Sequence, residues 1–299
     1  DTLKDLEYTA DWGAKVMLLP NGANAESVEQ IIRLNTETEK LKENTFKRAG
    51  HVFLGWAKAP DGDVVYKDTA EFKCGSDGVY YLYAVWHEGT PGLSYSGSSA
   101  YTVNGYKGDY TDIIIPSKYK GVTITGISST AIKGNTKITS LDMPVDVTNY
   151  SAGFLAGCSG LTSVVWNAIY CSNIYDVGVF HPFWGSTENL TSFVFGDSVQ
   201  YIPSYLCANM SKLTSIEIPN SVNSIGDGAF MVCSGLTSVV IGNSVTSIGE
   251  RVFDCCYRII EINCKPITPP NIDSNSFCDF NATLNVPKGA LSNYKNHPI

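Results

Sequence analysis

The stretch LTSIEIPNSVNSIGDGAFMVCSG, from Leu213 to Gly235, decides the fold because the chain repeats it at a period of 23 residues. The next copy, LTSVVIGNSVTSIGERVFDCCYR, runs from Leu236 to Arg258, and a degenerate copy, LTSFVFGDSVQYIPSYLCANMSK, runs from Leu190 to Lys212. A period of this length predicts a solenoid, in which each coil buries its apolar positions against the next coil. Solenoids present long surfaces, so the repeat argues against an enzyme with a deep pocket.

Each copy, numbered from its first leucine, has apolar residues at positions 1, 4, 6, 10, 13, 18 and 21. Positions 4 and 6 alternate with outward positions 3 and 5, which is the pattern of a short strand with one buried face. Proline or glycine at position 7 ends the strand, and the phenylalanine at position 18 fills the interior. We therefore predict a mostly β (α+β) fold with about seven coils, whose strands stack in one parallel ladder.

Other copies fit the same frame less closely. The copy from Ile138 to Gly160 is regular, whereas the copy from Leu161 to Asn189 is six residues too long. A last full copy begins at Ile259, and a closing strand, Thr283 to Val286, leads into a capping segment. The last coil needs a cap to cover its interior, so we assign residues 110–299 to the solenoid with its C-terminal cap.

A different sequence precedes the solenoid. Residues 1–90 carry 10 basic and 15 acidic side chains, whereas residues 91–299 carry 11 and 14, and the change falls near Gly89-Thr-Pro-Gly92. Apolar and aromatic runs predict strands at Val52–Trp56 and Val79–Trp86, with a turn at Pro60-Asp61-Gly62. The run Glu26–Arg33 predicts a short amphipathic helix. We assign 1–13 to the remnant of a preceding repeat, 14–88 to a small β module, and 89–109 to a linker and N-terminal cap.

The composition excludes several classes of function. The chain of 299 residues has a formal net charge of −8, which disfavours nucleic acid and anionic membrane surfaces as general partners. No apolar run is long enough to span a bilayer, so direct membrane insertion is not expected. The sequence lacks HExxH, GxSxG, P-loop and GxGxxG motifs, and its four histidines are widely spaced. We therefore expect no enzyme activity, no cofactor and no metal.

The nine cysteines invite a metal or disulfide interpretation, but their spacing favours packing. No CxxC pair occurs, which argues against a zinc site. Cys158, Cys233 and Cys256 share position 21, so we expect them to stack as a buried column of small apolar groups. A bridge between Cys233 and Cys256 remains the less favoured alternative, because neighbouring coils would bring them within reach.

The outward positions of the strand ladder form one candidate binding surface. Position 3 is mostly serine, and position 5 includes Val165, Val194, Glu217 and Val240. A flat strip of this kind could dock a protein or a glycan. The alternative is that serine and valine merely suit an exposed parallel strand.

The overlong copy supplies a second candidate, because its extra residues must bulge outward and are rich in aromatic rings. The candidate anchors of a partner are Tyr170, Tyr175, Phe180, His181 and Trp184. The alternative is that Phe180, Phe183 and Trp184 fill the interior where the regular phenylalanine is missing.

Both parts of the chain resemble known families. The phrase LTSIEIPNSVNSIGDGAF and the ending TLNVPKGALSNYKN resemble the BspA-like (Treponema pallidum type) leucine-rich repeat, over about residues 110–299. FKRAGHVFLGW and LYAVW are similar to the Listeria–Bacteroides repeat, or internalin B-repeat, a β-grasp-like module, over about residues 14–87.

The resemblance implies a surface protein of a Bacteroides-like bacterium, extracellular or on the cell surface, whose secretion signal is missing from this sequence. The function it implies is non-enzymatic recognition or adhesion, with a host or microbial surface protein as the partner. A glycan-binding accessory module and a passive structural stalk are the alternatives. The sequence leaves the oligomeric state open.

Overall fold

The computed structural model describes residues 13–33, 38–171, 181–183, 185–273, 275–277 and 281–296. Its contacts divide the chain into two compact units, Asp1–Glu88 and Gly89–Ile299. Each unit has its own apolar core, one around Trp56 and Leu82 and the other running through the coils of the solenoid. The two units are therefore described separately.

The first unit is a small β module. Its strands are β1 (Gly13–Leu19), β2 (Val28–Arg33), β3 (Glu39–Lys40), β4 (His51–Ala57), β5 (Glu71–Phe72) and β6 (Val79–Glu88). Four of them form a sheet in the order β2-β1-β6-β4, in which β1 and β6 are parallel and the other neighbours antiparallel. Alternate residues face the core, so Val16, Leu18, Leu82 and Ala84 are fully buried. The strands predicted at 52–56 and 79–86 are confirmed by β4 and β6.

The helix predicted at Glu26–Arg33 is wrong. Val28–Arg33 is instead strand β2, paired antiparallel with β1 and placing Ile32 opposite Ala14. Val28 and Ile32 are four residues apart, a spacing that lies on one face of a helix and equally on one face of a strand. Pairing with β1 and the β-branched residues of the segment favour the strand.

The second unit begins with strands β7 (Leu93–Gly97), β8 (Tyr101–Tyr106), β9 (Asp112–Ile114), β10 (Lys118–Tyr119), β11 (Val122–Ile127), β12 (Ser140–Met143) and β13 (Asn149–Tyr150). It continues with β14 (Ser163–Trp166), β15 (Ser192–Phe195), β16 (Tyr201–Ile202), β17 (Ser215–Ile218), β18 (Ser224–Ile225), β19 (Ser238–Ile241) and β20 (Ser247–Ile248). The last strands are β21 (Glu261–Cys264), β22 (Asn271–Ile272) and β23 (Thr283–Asn285). A 3-10 turn at Thr187–Asn189 and helix α1 (Leu291–Lys295) are its helical segments among the described residues.

A five-stranded sheet of β7, β8, β10, β11 and β13 lies at the N-terminal end of the solenoid, and β13 holds positions 12 and 13 of the copy that begins at Ile138. The segment predicted as a linker belongs to this end of the solenoid, because Thr90 is buried. Its hydroxyl donates to the Asp112 carbonyl (3.1 Å) and accepts from the Ile114 N–H (2.7 Å). The stretch after Glu88 is thus fixed to the first coil rather than free.

The solenoid is confirmed, and the four coils that begin at Leu190, Leu213, Leu236 and Ile259 have strands on two sides. In the strands β12, β14, β15, β17, β19 and β21, the side chains at positions 4 and 6 point inward and are buried. Those at positions 3 and 5 face out. Positions 12 and 13 form a second parallel sheet in the order β16-β18-β20-β22. Inside, the rings of Phe230, Phe253 and Phe277 stack at centroid distances of 5.4 and 5.3 Å.

The outward strands do not form the single ladder that the repeat predicts. They form two four-stranded parallel sheets, β15-β14-β12-β9 and β17-β19-β21-β23, and the pairing is interrupted between β15 and β17. The same two coils remain paired on their other side, where Tyr201 lies opposite Ser224. Between these two coils, the interruption is therefore confined to the outward side.

Candidate binding surface

The outward side chains of the eight ladder strands form a strip, defined by positions 3 and 5 of each strand. Val194 is 50% exposed, the Glu217 side chain is 69% exposed, and Val165 and Val240 are half-buried. The inward neighbours Val164, Phe193, Ile216 and Val239 are 4% exposed or less. The strip is therefore the part of each strand that the core does not use.

A row of threonines at position 2 holds neighbouring strands in register, and the sequence analysis missed it. At five junctions between coils, the N–H of the position-2 residue donates to the position-2 carbonyl of the preceding coil. The bonds are Thr139 to Thr111 (2.8 Å), Thr162 to Thr139 (2.9 Å), Thr191 to Thr162 (2.9 Å), Thr237 to Thr214 (2.8 Å) and Ile260 to Thr237 (2.9 Å). The hydroxyls of Thr139, Thr162, Thr191 and Thr237 donate to the same carbonyls. The repeated letters LTS carry the signal for this row.

One bond of the row is missing, at the junction between β15 and β17. In this fully described part of the chain, neither the N–H nor the hydroxyl of Thr214 bonds to the Thr191 carbonyl. A second hydrogen bond between these coils is missing at position 7. Gly196 donates its N–H to the Trp166 carbonyl, but Pro219 has no N–H that could donate to the Phe195 carbonyl. Both strands therefore turn unpaired backbone groups toward each other.

The residues of this junction differ from those of the next one. Proline at position 7 does not by itself prevent pairing, because Pro144 also occupies position 7 and β12 is nevertheless paired with β9. The coil that contains β15 has phenylalanine at both inward positions, Phe193 and Phe195, and Cys207 at position 18, where the next two coils have phenylalanine. The same two phenylalanines pair in full register with β14, so the interruption belongs to the side of β15 that faces β17.

The interruption forms a groove of about 460 Å³ on the outward side of the solenoid. Its walls include Thr191, Val194, Asp197, Glu217, Pro219 and Asn220. The rings of Phe195 and Phe230 meet beneath it at a centroid distance of 6.2 Å, so the groove has an apolar floor and does not open into the core. This volume lies within the range of small-ligand sites.

The groove is acidic. Asp197 and Glu217 line it, and no lysine or arginine does. Lys265 reaches one side of it from two strands away, with its Nζ 3.1 Å from Oε1 of Glu217. Both side chains of this pair are largely exposed, so the bridge contributes at most about 1 kcal/mol and can be exchanged.

At the junction between β12 and β14, whose strands are fully paired, the side chain at position 7 adds further hydrogen bonds. Asn167 donates from its Nδ2 to Oδ1 of Asp142 (2.9 Å) and to the Met143 carbonyl (2.8 Å). Burial raises the pKa of Asp142, and the bond from Asn167 opposes part of that rise. Gly196 and Pro219, at the position of Asn167, can make no such bond.

The aromatic segment of the overlong copy divides into surface, interior and residues outside the structural description. Tyr170 is 57% exposed, and its hydroxyl bonds to Gln200. His181 is 1% exposed, which corrects its assignment as a surface anchor. Its Nδ1 accepts from the Phe183 N–H and its Nε2 lies 2.9 Å from the Tyr205 carbonyl. Phe183 is fully buried. Tyr175, Phe180 and Trp184 lie outside the described residues.

The described cysteines of the solenoid are unbridged, all of them but the half-buried Cys255 are buried, and four of the buried ones act as hydrogen-bond donors. Each thiol of Cys158, Cys171, Cys233 and Cys256 lies 3.1–3.3 Å from a backbone carbonyl of the coil before it. Burial raises the pKa of Cys171 to about 12 and that of Cys233 well above its usual value. Burial therefore favours the protonated thiol at Cys171 and Cys233, which donate to the carbonyls of Val147 and Cys207.

Two further searches of the described residues bear on function. No three His, Cys, Asp or Glu side chains come together there in a way that could hold a metal ion. Within the same residues, no helix is long and apolar enough to cross a membrane.

Comparison with known proteins identifies the repeats. The family model for the BspA type leucine rich repeat region matches residues 109–180 and 180–290, in six copies. No curated protein is significantly similar to the chain in sequence.

Among solved structures, a leucine rich repeat protein of T. pallidum is 23% identical, with a TM-score of 0.48 over 58% of this chain and 80% of that one. A leucine-rich repeat protein from Bacteroides ovatus is 19% identical, with a TM-score of 0.43 over 55% of this chain and 40% of that one. A leucine rich cell surface protein from Faecalibacterium prausnitzii is 17% identical, with a TM-score of 0.27 over 66% of this chain and 75% of that one.

Proposed function

The chain belongs to the BspA type leucine rich repeat family, and from this premise we propose that it is a non-enzymatic recognition protein that binds a host or microbial surface protein. The binding surface in this proposal is the strip. The inward side chains pack in the core, and the position-2 threonines form hydrogen bonds between coils. The outward positions are therefore the ones that are left for a partner.

The size and chemistry of the strip support a protein partner. Eight strands at the usual spacing of ~4.8 Å extend for at least about 34 Å, which is enough to engage a folded domain. Positions 3 and 5 of the ladder strands carry serine, threonine, valine, isoleucine, aspartate, glutamate and asparagine but no aromatic ring. Glycan sites usually include an aromatic face, so a protein partner is favoured over the glycan-binding alternative.

We propose that the protein acts outside the cell, secreted or on the bacterial surface. One support is the resemblance of the repeats to those of surface proteins, and another is that one structural neighbour is described as a cell surface protein. The buried thiols are compatible with this location, because burial protects them from oxidants in the medium.

We propose that the first unit is a spacer of the Listeria–Bacteroides type. The sequence that suggested it, FKRAGHVFLGW, contributes Phe46, Phe53 and Trp56 to one aromatic cluster, with centroid distances of 6.0 and 4.9 Å. LYAVW supplies the paired strand β6, whose Trp86 donates to the Pro20 carbonyl (2.9 Å). These residues explain why the motif recurs without needing a ligand.

The test is to screen the full chain against arrays of host proteins, bacterial surface proteins and glycans. A strip variant, Val165→Arg with Val240→Arg, should abolish capture of any partner and leave the melting temperature nearly unchanged. Ile267→Arg is the matched control, because Ile267 is 70% exposed and lies outside the strip. Capture that survives the strip variant, or capture of glycans alone, would overturn the proposal.

A further inference from the structure

We propose that the groove between β15 and β17 holds an extended segment of a partner protein through one arginine side chain. This inference rests on the proposed function and names the contact that would give it specificity. It starts from the junction, within the described part of the ladder, at which two successive coils turn unpaired backbone groups toward each other.

The width of the groove limits how a partner can enter. An inserted strand would need β15 and β17 about 9.6 Å apart, twice the spacing of paired strands. The Cα atoms of these strands approach within 8 Å, so a strand does not fit between them. A single side chain does fit, with its own main chain lying along the outside of the groove.

Charge and hydrogen bonding select arginine. The groove offers acceptors, namely the Asp197 and Glu217 carboxylates and the unpaired Thr191 carbonyl, and no cation lines it. A guanidinium carries five N–H donors in a planar fork and can bond a carboxylate and a carbonyl together. Val194 and Pro219 flank the entrance and can contact the methylene stem.

Lys265 acts as an internal competitor for the same carboxylate. Its Nζ already bonds Oε1 of Glu217, so an arriving arginine must displace it or use the second oxygen. Removing Lys265 should therefore strengthen binding, an effect that neither a purely apolar contact nor a phosphate-binding site predicts.

The probe is a blocked five-residue peptide with a central arginine between serine and valine, compared with the same peptide containing citrulline. Binding to the full chain is followed by NMR at the amides of Thr214 and Glu217. The arginine peptide should shift these amides and bind about tenfold tighter than the citrulline peptide, which keeps the shape but loses the charge.

Two sets of variants complete the test. Asp197→Asn with Glu217→Gln should weaken the arginine peptide about tenfold, and Lys265→Met should tighten it severalfold. The matched control, Glu188→Gln with Glu250→Gln, makes the same change in net charge outside the groove and should alter the affinity less than twofold.

Equal weakening by both charge pairs, equal binding of both peptides, or shifts elsewhere on the surface would overturn the inference. Its failure is distinguishable from failure of the proposed function. A partner that is captured on the array and lost in the strip variant, but retained by Asp197→Asn with Glu217→Gln, leaves the function standing and removes the groove. Specific peptide binding without any captured partner leaves the groove and removes the function.

Discussion

The two junctions on either side of β15 differ in strand pairing, and the junction with the longer connection is the one whose strands are paired. Between β14 and β15 the chain carries six residues more than the repeat needs, yet the strands pair in full register from Ser163–Ser192 to Trp166–Phe195. Between β15 and β17 the spacing is the regular 23 residues, yet the ladder is open. The pairing of coils is thus set by the residues at the junction and not by the length of the return.

Magnitudes explain this outcome. Lengthening a connection from 23 to 29 residues costs only about 0.2 kcal/mol of closure entropy by the logarithmic rule. Each hydrogen bond between strands contributes about 0.5–1.5 kcal/mol, and a misplaced ring in a packed interior costs about 1–3 kcal/mol. An insertion in the return is therefore easily tolerated, whereas a poor fit between the side chains of neighbouring coils is large enough to offset the strand hydrogen bonds of one junction.

The largest expected effect tests whether the overlong copy is part of the core. Phe183→Ala should reduce the free energy of unfolding by about 3–5 kcal/mol, because it removes a fully buried ring. Urea denaturation of the variant and the parent measures the difference. Tyr170→Ala, at an exposed ring of the same copy, serves as control and should cost less than about 1 kcal/mol. Similar small losses in both variants would mean that the extra residues stand outside the core.

A smaller effect tests the open and closed junctions directly. Thr162→Val removes a hydroxyl that donates to the Thr139 carbonyl (3.2 Å) and should cost about 0.5–1 kcal/mol. Thr214→Val removes a hydroxyl without that bond and should cost close to nothing. Chemical denaturation supplies both values, and hydrogen exchange should show a protected Thr162 amide and a fast Thr214 amide. Equal costs and equal protection would contradict the interruption.

The smallest effect concerns Asp142, which accepts the hydrogen bond from Asn167 at the junction between β12 and β14. Because burial raises the pKa of Asp142, the fold favours its neutral form. That contribution is complete below the ordinary pKa of 3.8 and is lost as the pH rises through the raised value. Asp142→Asn imitates the neutral form and should raise the melting temperature slightly at pH 7 and not at pH 3. A lower melting temperature at pH 7 would show that the fold depends on the charge.

The regular part of the fold could be predicted because its signal is local. Alternation at positions 3 to 6 predicts which side chains face the core, and a shared position 21 predicts the buried thiols. The helix predicted at 26–33 failed because a spacing of four residues does not distinguish a helix from a strand, and only the pairing with β1 decides.

The irregular part could not be predicted, because it depends on contacts between coils. Phe193 and Phe195 satisfy the apolar pattern, and nothing in that pattern indicates that β15 pairs with β14 and not with β17. His181 looks like a surface residue in the sequence, and its burial follows from bonds to Phe183 and Tyr205. The position-2 threonines were visible as letters, but their role needs the register of neighbouring strands.

The buried cysteines of the solenoid make it possible to follow the order in which its coils unfold. In a solenoid each coil interacts only with its neighbours, so loss of structure travels along the array and slows or stops where coupling changes. The open junction is a weak coupling of this kind, and buried cysteines stand on both sides of it, Cys158 and Cys171 before and Cys233 and Cys256 after. An alkylating reagent added during a slow denaturant ramp would modify these two pairs at different times. The order in which the two pairs of cysteines are alkylated thus reports whether the coils on the two sides of the open junction unfold together.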